Sequence, residues 1–120
     1  MRALRHAVEA DTPAERLTLS SDAGGSLPLY RDGNLVGLQQ ASPAVLLDLF
    51  QAAMREDSDL VDAVIAGLTR NPADAYGLTK KGRVAPGCDA DLLLIDPASG
   101  DLTDVFGGGR RLMRDGSLEI

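Results

Sequence analysis

KGRVAPGCDADLLLI, Lys81–Ile95, changes character half-way along. Its first half carries Gly82, Pro86 and Gly87; its second ends in the unbroken apolar run Leu92–Ile95, set between Asp91 and Asp96. Glycine takes turn conformations at little steric cost, so Gly82 and Gly87 read as turns. A short apolar run bounded by turn signals reads as a buried strand. Asp91, at the start of that strand, can anchor the preceding loop. Cys88 lies in the turn between Gly87 and Asp89 with no histidine near it in sequence, and reads as an incidental thiol.

Downstream, Leu102–Phe106 and Arg110–Arg114 read as further strands, with Gly107-Gly108-Gly109 as a hairpin turn. That glycine run lacks the spaced glycines and following helix of a phosphate-binding loop. Asp115-Gly116 is a tight turn into a last short strand. Upstream the pattern is helical. Asn71-Pro72 reads as a cap followed by proline at the start of a short helix that ends at Gly77. Ser58 reads as the N-cap of a helix over 59–68 with Leu60, Val61, Val64, Ile65 and Leu68 on it. Ser42-Pro43 opens a helix over 43–55 whose buried stripe is Val45, Leu46, Leu49, Phe50 and Ala53. Arg55, Glu56, Asp57 and Asp59 make a solvated junction between these two helices. Asp32-Gly33-Asn34 is a turn between short extended pieces, 27–30 and 35–38. Residues 2–9 read as a helix with Leu4, Ala7 and Val8 on one face, and 16–20 alternate with period two, as a strand does.

The chain has 120 residues, enough for one domain or a piece of a larger one. Only 3% of residues are aromatic, so the core must be built from Leu, Val and Ala. The net charge of −6 argues against a nucleic-acid partner, which calls for a basic face. Arg110, Arg111 and Arg114 are interleaved with Leu112 and Met113, and read as a solvated sheet edge. One cysteine excludes an intrachain disulfide and fits a reducing, cytoplasmic setting. No stretch reaches the roughly 18 apolar residues of a membrane helix, and no signal peptide is read at the start.

A second stretch bears on chemistry: LTLSSDAGGSLP, Leu17–Pro28. Read from the residues alone, Ser21-Asp22 is first of all an Asx-type turn whose side chain bonds its own backbone. The alternative is a carboxylate at the C-terminal end of a strand, aimed into a site, able to bind a metal or take a proton. The glycines that follow would let backbone approach a ligand, and Ser26 would offer a hydroxyl and an N–H to a substrate carboxylate. His6, the only histidine, lies off the apolar helical face and reads as a surface residue.

The Lys81–Ile95 stretch resembles the closing signature of the metal-dependent amidohydrolase superfamily, Gly-x-Val/Ile-x-x-Gly-x-x-Ala-Asp-hydrophobic. Thr69-Arg70-Asn71-Pro72-Ala73 before it and Val105–Gly116 after it are also similar. Within the superfamily, the Ser-Ser-Asp-x-x-Gly-Ser element of Leu17–Pro28 resembles the isoaspartyl (β-aspartyl) dipeptidases. The resemblance implies an α/β fold: a C-terminal fragment of a (β/α)8 barrel, with the last barrel strand and its helices in residues 1–80. Residues 81–120 would be C-terminal strands of a small β-sandwich. It implies hydrolysis of β-aspartyl dipeptides by metal-activated hydroxide at a two-zinc centre. Asp22 would be the metal-binding, catalytic aspartate and Ser26 the substrate-binding serine. Ala23 and Gly24 depart from the family's usual Gly-Asn. The family's His-x-His pair, bridging lysine carboxylate and further histidines have no counterpart here. A barrel needs about 200 residues. The resemblance therefore implies a missing N-terminal barrel portion, a chain inactive when isolated, and the chance of a homo-oligomer. Two alternatives stand beside it: a short non-catalytic relic that folds on a partner or as an oligomer, and a small interaction domain with no site.

Overall fold

The computed structural model describes residues 2–10, 12–56 and 58–119; Met1, Asp11, Asp57 and Ile120 lie outside the described residues. Of the expected solvated junction, Arg55, Glu56 and Asp59 are described and all three are exposed. The fold is mixed α/β. Helix α1 (Arg2–Glu9) leads through a 3-10 turn, Ala14–Arg16, into an extended segment. A hairpin comes next, β1 (Ser26–Arg31) and β2 (Asn34–Gln40), then helices α2 (Val45–Glu56), α3 (Val61–Leu68) and α4 (Arg70–Ala75). The chain ends in a meander of β3 (Leu92–Ile95), β4 (Leu102–Gly107), β5 (Arg110–Arg114) and β6 (Ser117–Leu118). The order of that sheet is β3-β4-β5-β6, all antiparallel.

Turn chemistry explains the hairpins. Asp32 and Gly33 both have positive φ, 50° and 79°, as the two central residues of a type I′ turn must. Asp115 and Gly116 repeat this, at 46° and 75°. Ser42 Oγ accepts from the Ala44 N–H at 3.2 Å in the turn that leads into α2, which begins at Val45 rather than at the expected Pro43.

Five expectations fail. Arg16 closes the 3-10 turn, and residues 17–20 run on without pairing to any strand among the described residues. A parallel barrel strand takes its ladder from neighbours on both sides, and the described residues offer none. Ser58 begins a 3-10 turn, Ser58–Leu60, rather than capping α3, whose N-cap is Leu60 without a side-chain bond. Asn71 is not a cap either; Thr69 precedes α4, and Asn71 sits inside it, 2% exposed. Strand β3 is at a sheet edge and is not buried: Leu93 is 59% exposed. By contrast β5 is no solvated edge, for it is paired with β4 and β6. Arg111 reaches buried Asp104 at 2.7 Å and lies 5.3 Å from the centre of the Phe106 ring.

The core is small. Leu4, Ala53, Leu60 and Val64 are buried, with Leu17, Leu19, Leu49, Phe50, Val61 and Leu68 against them. The chain exposes 8536 Å². A compact monomer of this mass exposes about 6200 Å². The radius of gyration, 16.2 Å, likewise exceeds the roughly 13.6 Å of a compact domain this long. Large apolar side chains share in that exposure. The hairpin shows Tyr30, Leu35 and Leu38 to solvent, and a groove of about 770 Å³ runs between Leu46, Phe50 and Leu68 on the helices and Leu92, Leu93 and Ile95 on β3.

Candidate functional site

Leu17 begins the extended segment at φ −85° and ψ 125°. Leu17 and Leu19 turn inward and are half-buried, whereas Arg16, Thr18 and Ser20 point out, so the period-two pattern describes the segment correctly. Two elements grip it. The Leu19 N–H donates to the Gly67 carbonyl in α3 at 3.0 Å. The Asn71 amide in α4 donates to the carbonyls of Ala14 and Leu17, both at 2.7 Å. Gly67 is glycine for a packing reason: a methyl there would stand 3.0 Å from Leu19 Cγ, tighter than ordinary van der Waals contact.

At the far end of the segment two serines shape the turn. Ser20 Oγ accepts from the Asp22 N–H at 3.3 Å, and Ser21 Oγ from the Ala23 N–H at 3.2 Å. The Asp22 carbonyl accepts from the Gly25 N–H at 2.8 Å. Asp22 itself has φ 50°, uncommon for a residue with a side chain. Beyond it, the Gly24 N–H donates to the Ala41 carbonyl at 3.2 Å, and the Ala41 N–H to the Gly25 carbonyl at 2.9 Å. This pair ties the turn to the end of β2.

The Asx-type reading of Asp22 is thus corrected. The turn bonds come from serine hydroxyls, and no hydrogen bond or ion pair among the described residues engages the Asp22 carboxylate. That carboxylate is exposed and folds over Gly25, where any Cβ would lie 2.7 Å from its Cγ. Ser26, exposed, is the first residue of β1, paired with Gln40. Asp22 and Ser26 stand at the two ends of one tight turn.

The donor set for a metal is incomplete. Among the described residues no group of three or more His, Cys, Asp or Glu side chains is placed to hold one. Asp22 offers a single carboxylate, and His6 is exposed on α1. A catalytic zinc usually takes three protein ligands, so these residues do not fit a zinc centre by themselves.

The signature loop does structural work. Asp91 Oδ1 accepts from the Gly108 N–H at 2.7 Å, and its other oxygen pairs with Lys81. Lys81 also reaches Asp89 at 3.0 Å. The Lys81 ammonium, then the Gly108 N–H, hold the Asp91 carboxyl below the usual carboxylate range. Hydrogen bonds to Asp91 and Asp89 push the Lys81 ammonium up. Asp91 therefore anchors the loop to both its own start and the β4–β5 turn. Gly82, at φ 73°, passes so close to α4 that a Cβ would meet the Thr69 carbonyl and Ala73. Cys88 is half-buried in the turn beyond it.

Sequence reasoning missed Asn71, Gly67 and Ala41 as parts of the Asp22 support. No local signal marks them. Their partners lie 54 and 57 residues away for Asn71, and Asn-Pro is a common helix opening.

Comparison with known proteins places the chain. It is similar to the solved β-aspartyl dipeptidase from Fervidobacterium islandicum AW-1 in complex with β-Asp-Leu dipeptide. The TM-score is 0.78 with 33% identity, covering 98% of this chain and 31% of that one. Among curated relatives, a dihydroorotase of Halobacterium salinarum is 63% identical over 27 residues, 22% of this chain and 6% of its own. An adenine deaminase of Nitratidesulfovibrio vulgaris is 38% identical over 69 residues, 57% of this chain and 12% of its own. The chain thus spans less than a third of the length of each of these proteins. The model of the amidohydrolase family matches residues 1–116, and the chain belongs to that family.

Proposed function

We propose that these residues are the C-terminal part of a zinc-dependent amidohydrolase that hydrolyses β-aspartyl dipeptides. Residues 1–80 would contribute the last barrel strand with its helices, and residues 81–120 the closing strands of a small β-sandwich. The observation that carries the substrate reading is the likeness to the β-aspartyl dipeptidase, which runs along 98% of the chain. The dihydroorotase and adenine deaminase likenesses cover shorter stretches and name different substrates.

In this reading Asp22 supplies one carboxylate to a two-zinc centre, and the remaining ligands come from polypeptide outside this chain. Its carboxylate would take the proton of the water that adds to the β-aspartyl carbonyl carbon and pass it to the departing amine as the C–N bond breaks. Freedom from hydrogen bonds among the described residues leaves both oxygens available for that work. Ser26 holds the polar end of the dipeptide through its hydroxyl and backbone N–H. The isolated chain is inactive, because one carboxylate is one ligand of the usual three. The test is hydrolysis of β-Asp-Leu by the complete natural protein, beside its Asp22→Asn variant and the isolated 120-residue chain. Turnover only in the unmodified complete protein supports the reading; zinc-dependent turnover by the isolated chain, or full activity of the variant, overturns it.

A second reading is favoured by the exposed apolar side chains: a non-catalytic chain that folds on a partner or as an oligomer. It expects no hydrolysis, and a natural product of 12.6 kDa that is always found associated.

A further inference from the structure

We infer that Asn71 is a positioning residue for Asp22, acting through the backbone of the extended segment; this rests on the reading of Asp22 above. Asn71 is 2% exposed, and a buried amide is tolerated only when its polar atoms find partners. Its two N–H donors are both spent outside its own helix, on the Ala14 and Leu17 carbonyls. Its Oδ1 is buried with no partner among the described residues, so the donor side alone holds the amide in place.

The grip is suited to setting register. Asn71 takes the carbonyl of Leu17 and Gly67 takes the N–H of Leu19, two residues further along the segment. Together they fix both where the segment lies along α3 and α4 and how it is turned. A slip by one residue would expose Leu17 and Leu19 and rotate every later side chain to the opposite face. Asp22 comes three residues after the second grip point. No neighbouring strand among the described residues provides the same constraint. Loss of the donors therefore frees the carboxylate to move while the core of α2 and α3, which Asn71 does not enter, stays packed.

The test is residue-resolved amide hydrogen exchange of the full chain, unmodified and as Asn71→Leu, an apolar replacement of similar size. Beside it runs β-Asp-Leu hydrolysis by the complete protein. Exchange at Leu19, Gly24 and Gly25 is expected to quicken at least about tenfold while Val64 is little changed, as local opening does. The kcat per folded molecule is expected to fall about 10²-fold, the scale of an ångström-sized misplacement, with KM nearly constant. Uniform quickening of all amides, unchanged exchange at Leu19, or an unchanged kcat would overturn the inference. If Asn71→Leu does not fold, Gly67→Ala displaces Leu19 from the other grip point and must give the same local pattern. If the unmodified protein does not cleave β-Asp-Leu, the functional reading fails, and the exchange pattern alone decides whether Asn71 sets the segment.

Discussion

The two flanks of Asp22 are held by different means. The segment before it is fastened to distant helices: Leu17 and Leu19 enter the core, and Asn71 and Gly67 take its backbone groups. The hairpin after it is fastened mainly to itself, through the Asp32-Gly33 turn and the β1–β2 ladder, with the Ala41 bonds at its base. Leu38 on that hairpin is 69% exposed. A lone two-stranded hairpin is marginal in water, so the serine flank needs cover that the carboxylate flank already has. The candidate site thus joins a docked half to an exposed half.

Substitution at the two flanks should separate them most strongly. In the complete protein, Asp22→Asn is expected to lower kcat about 10³-fold, the range of general acid–base catalysis. Ser26→Ala should raise KM about tenfold with a smaller change in kcat, as loss of one hydrogen bond to a charged group does. Steady-state kinetics on β-Asp-Leu check both. Equal effects on kcat would dissolve the distinction.

Gly82→Ala attacks the helical side from the signature loop. It forces a side chain into a positive-φ position against the Thr69 carbonyl, and should cost about 2–4 kcal/mol in urea unfolding. A loss below about 0.5 kcal/mol, the scale of an ordinary surface change, would show the loop is free to shift. On the hairpin, Leu38→Ser should alter the stability of the isolated chain by less than about 0.5 kcal/mol. The same change should reduce self-association in sedimentation, because it removes exposed apolar surface.

The smallest effect is electrostatic. Asp91 is held below its ordinary range, so its contribution is present above that range and is lost as pH falls through the lowered value. Lys81 is raised, so its contribution is present below its ordinary value and is lost as pH rises through the raised one. Both groups are exposed and screened, which keeps the effect small. Replacing Asp91 by Asn should flatten the acid limb of a stability–pH curve at low salt, lowering the neutral region slightly and leaving the acid end nearly unchanged.

Much of the local structure was legible in the residues. Asp32-Gly33 and Asp115-Gly116 specify their own turns, and Ser42 bonds the turn just before α2, because each acts on backbone within a few residues. The signature loop was legible for the same reason, with Asp91 as its anchor. What failed depended on distant partners. The apolar run of β3 signals a place between two layers, and the chain supplies too little to cover it. Asn71 reads as a cap because Asn-Pro so often is one, and its true partners lie more than 50 residues earlier. At the candidate site, Asp22 and Ser26 were visible as residues, and their place at either end of one turn comes from the serine and glycine pattern. The support behind them was not visible.

A docked half beside an exposed half is what the proposed reading expects of one part of a larger enzyme. The intact mass of the natural gene product tests that claim most directly. A mass far above 12.6 kDa is expected, with residues 1–120 inside the longer polypeptide. A natural product of 12.6 kDa would contradict it, and would turn attention from substrates to the surface that covers the hairpin and β3.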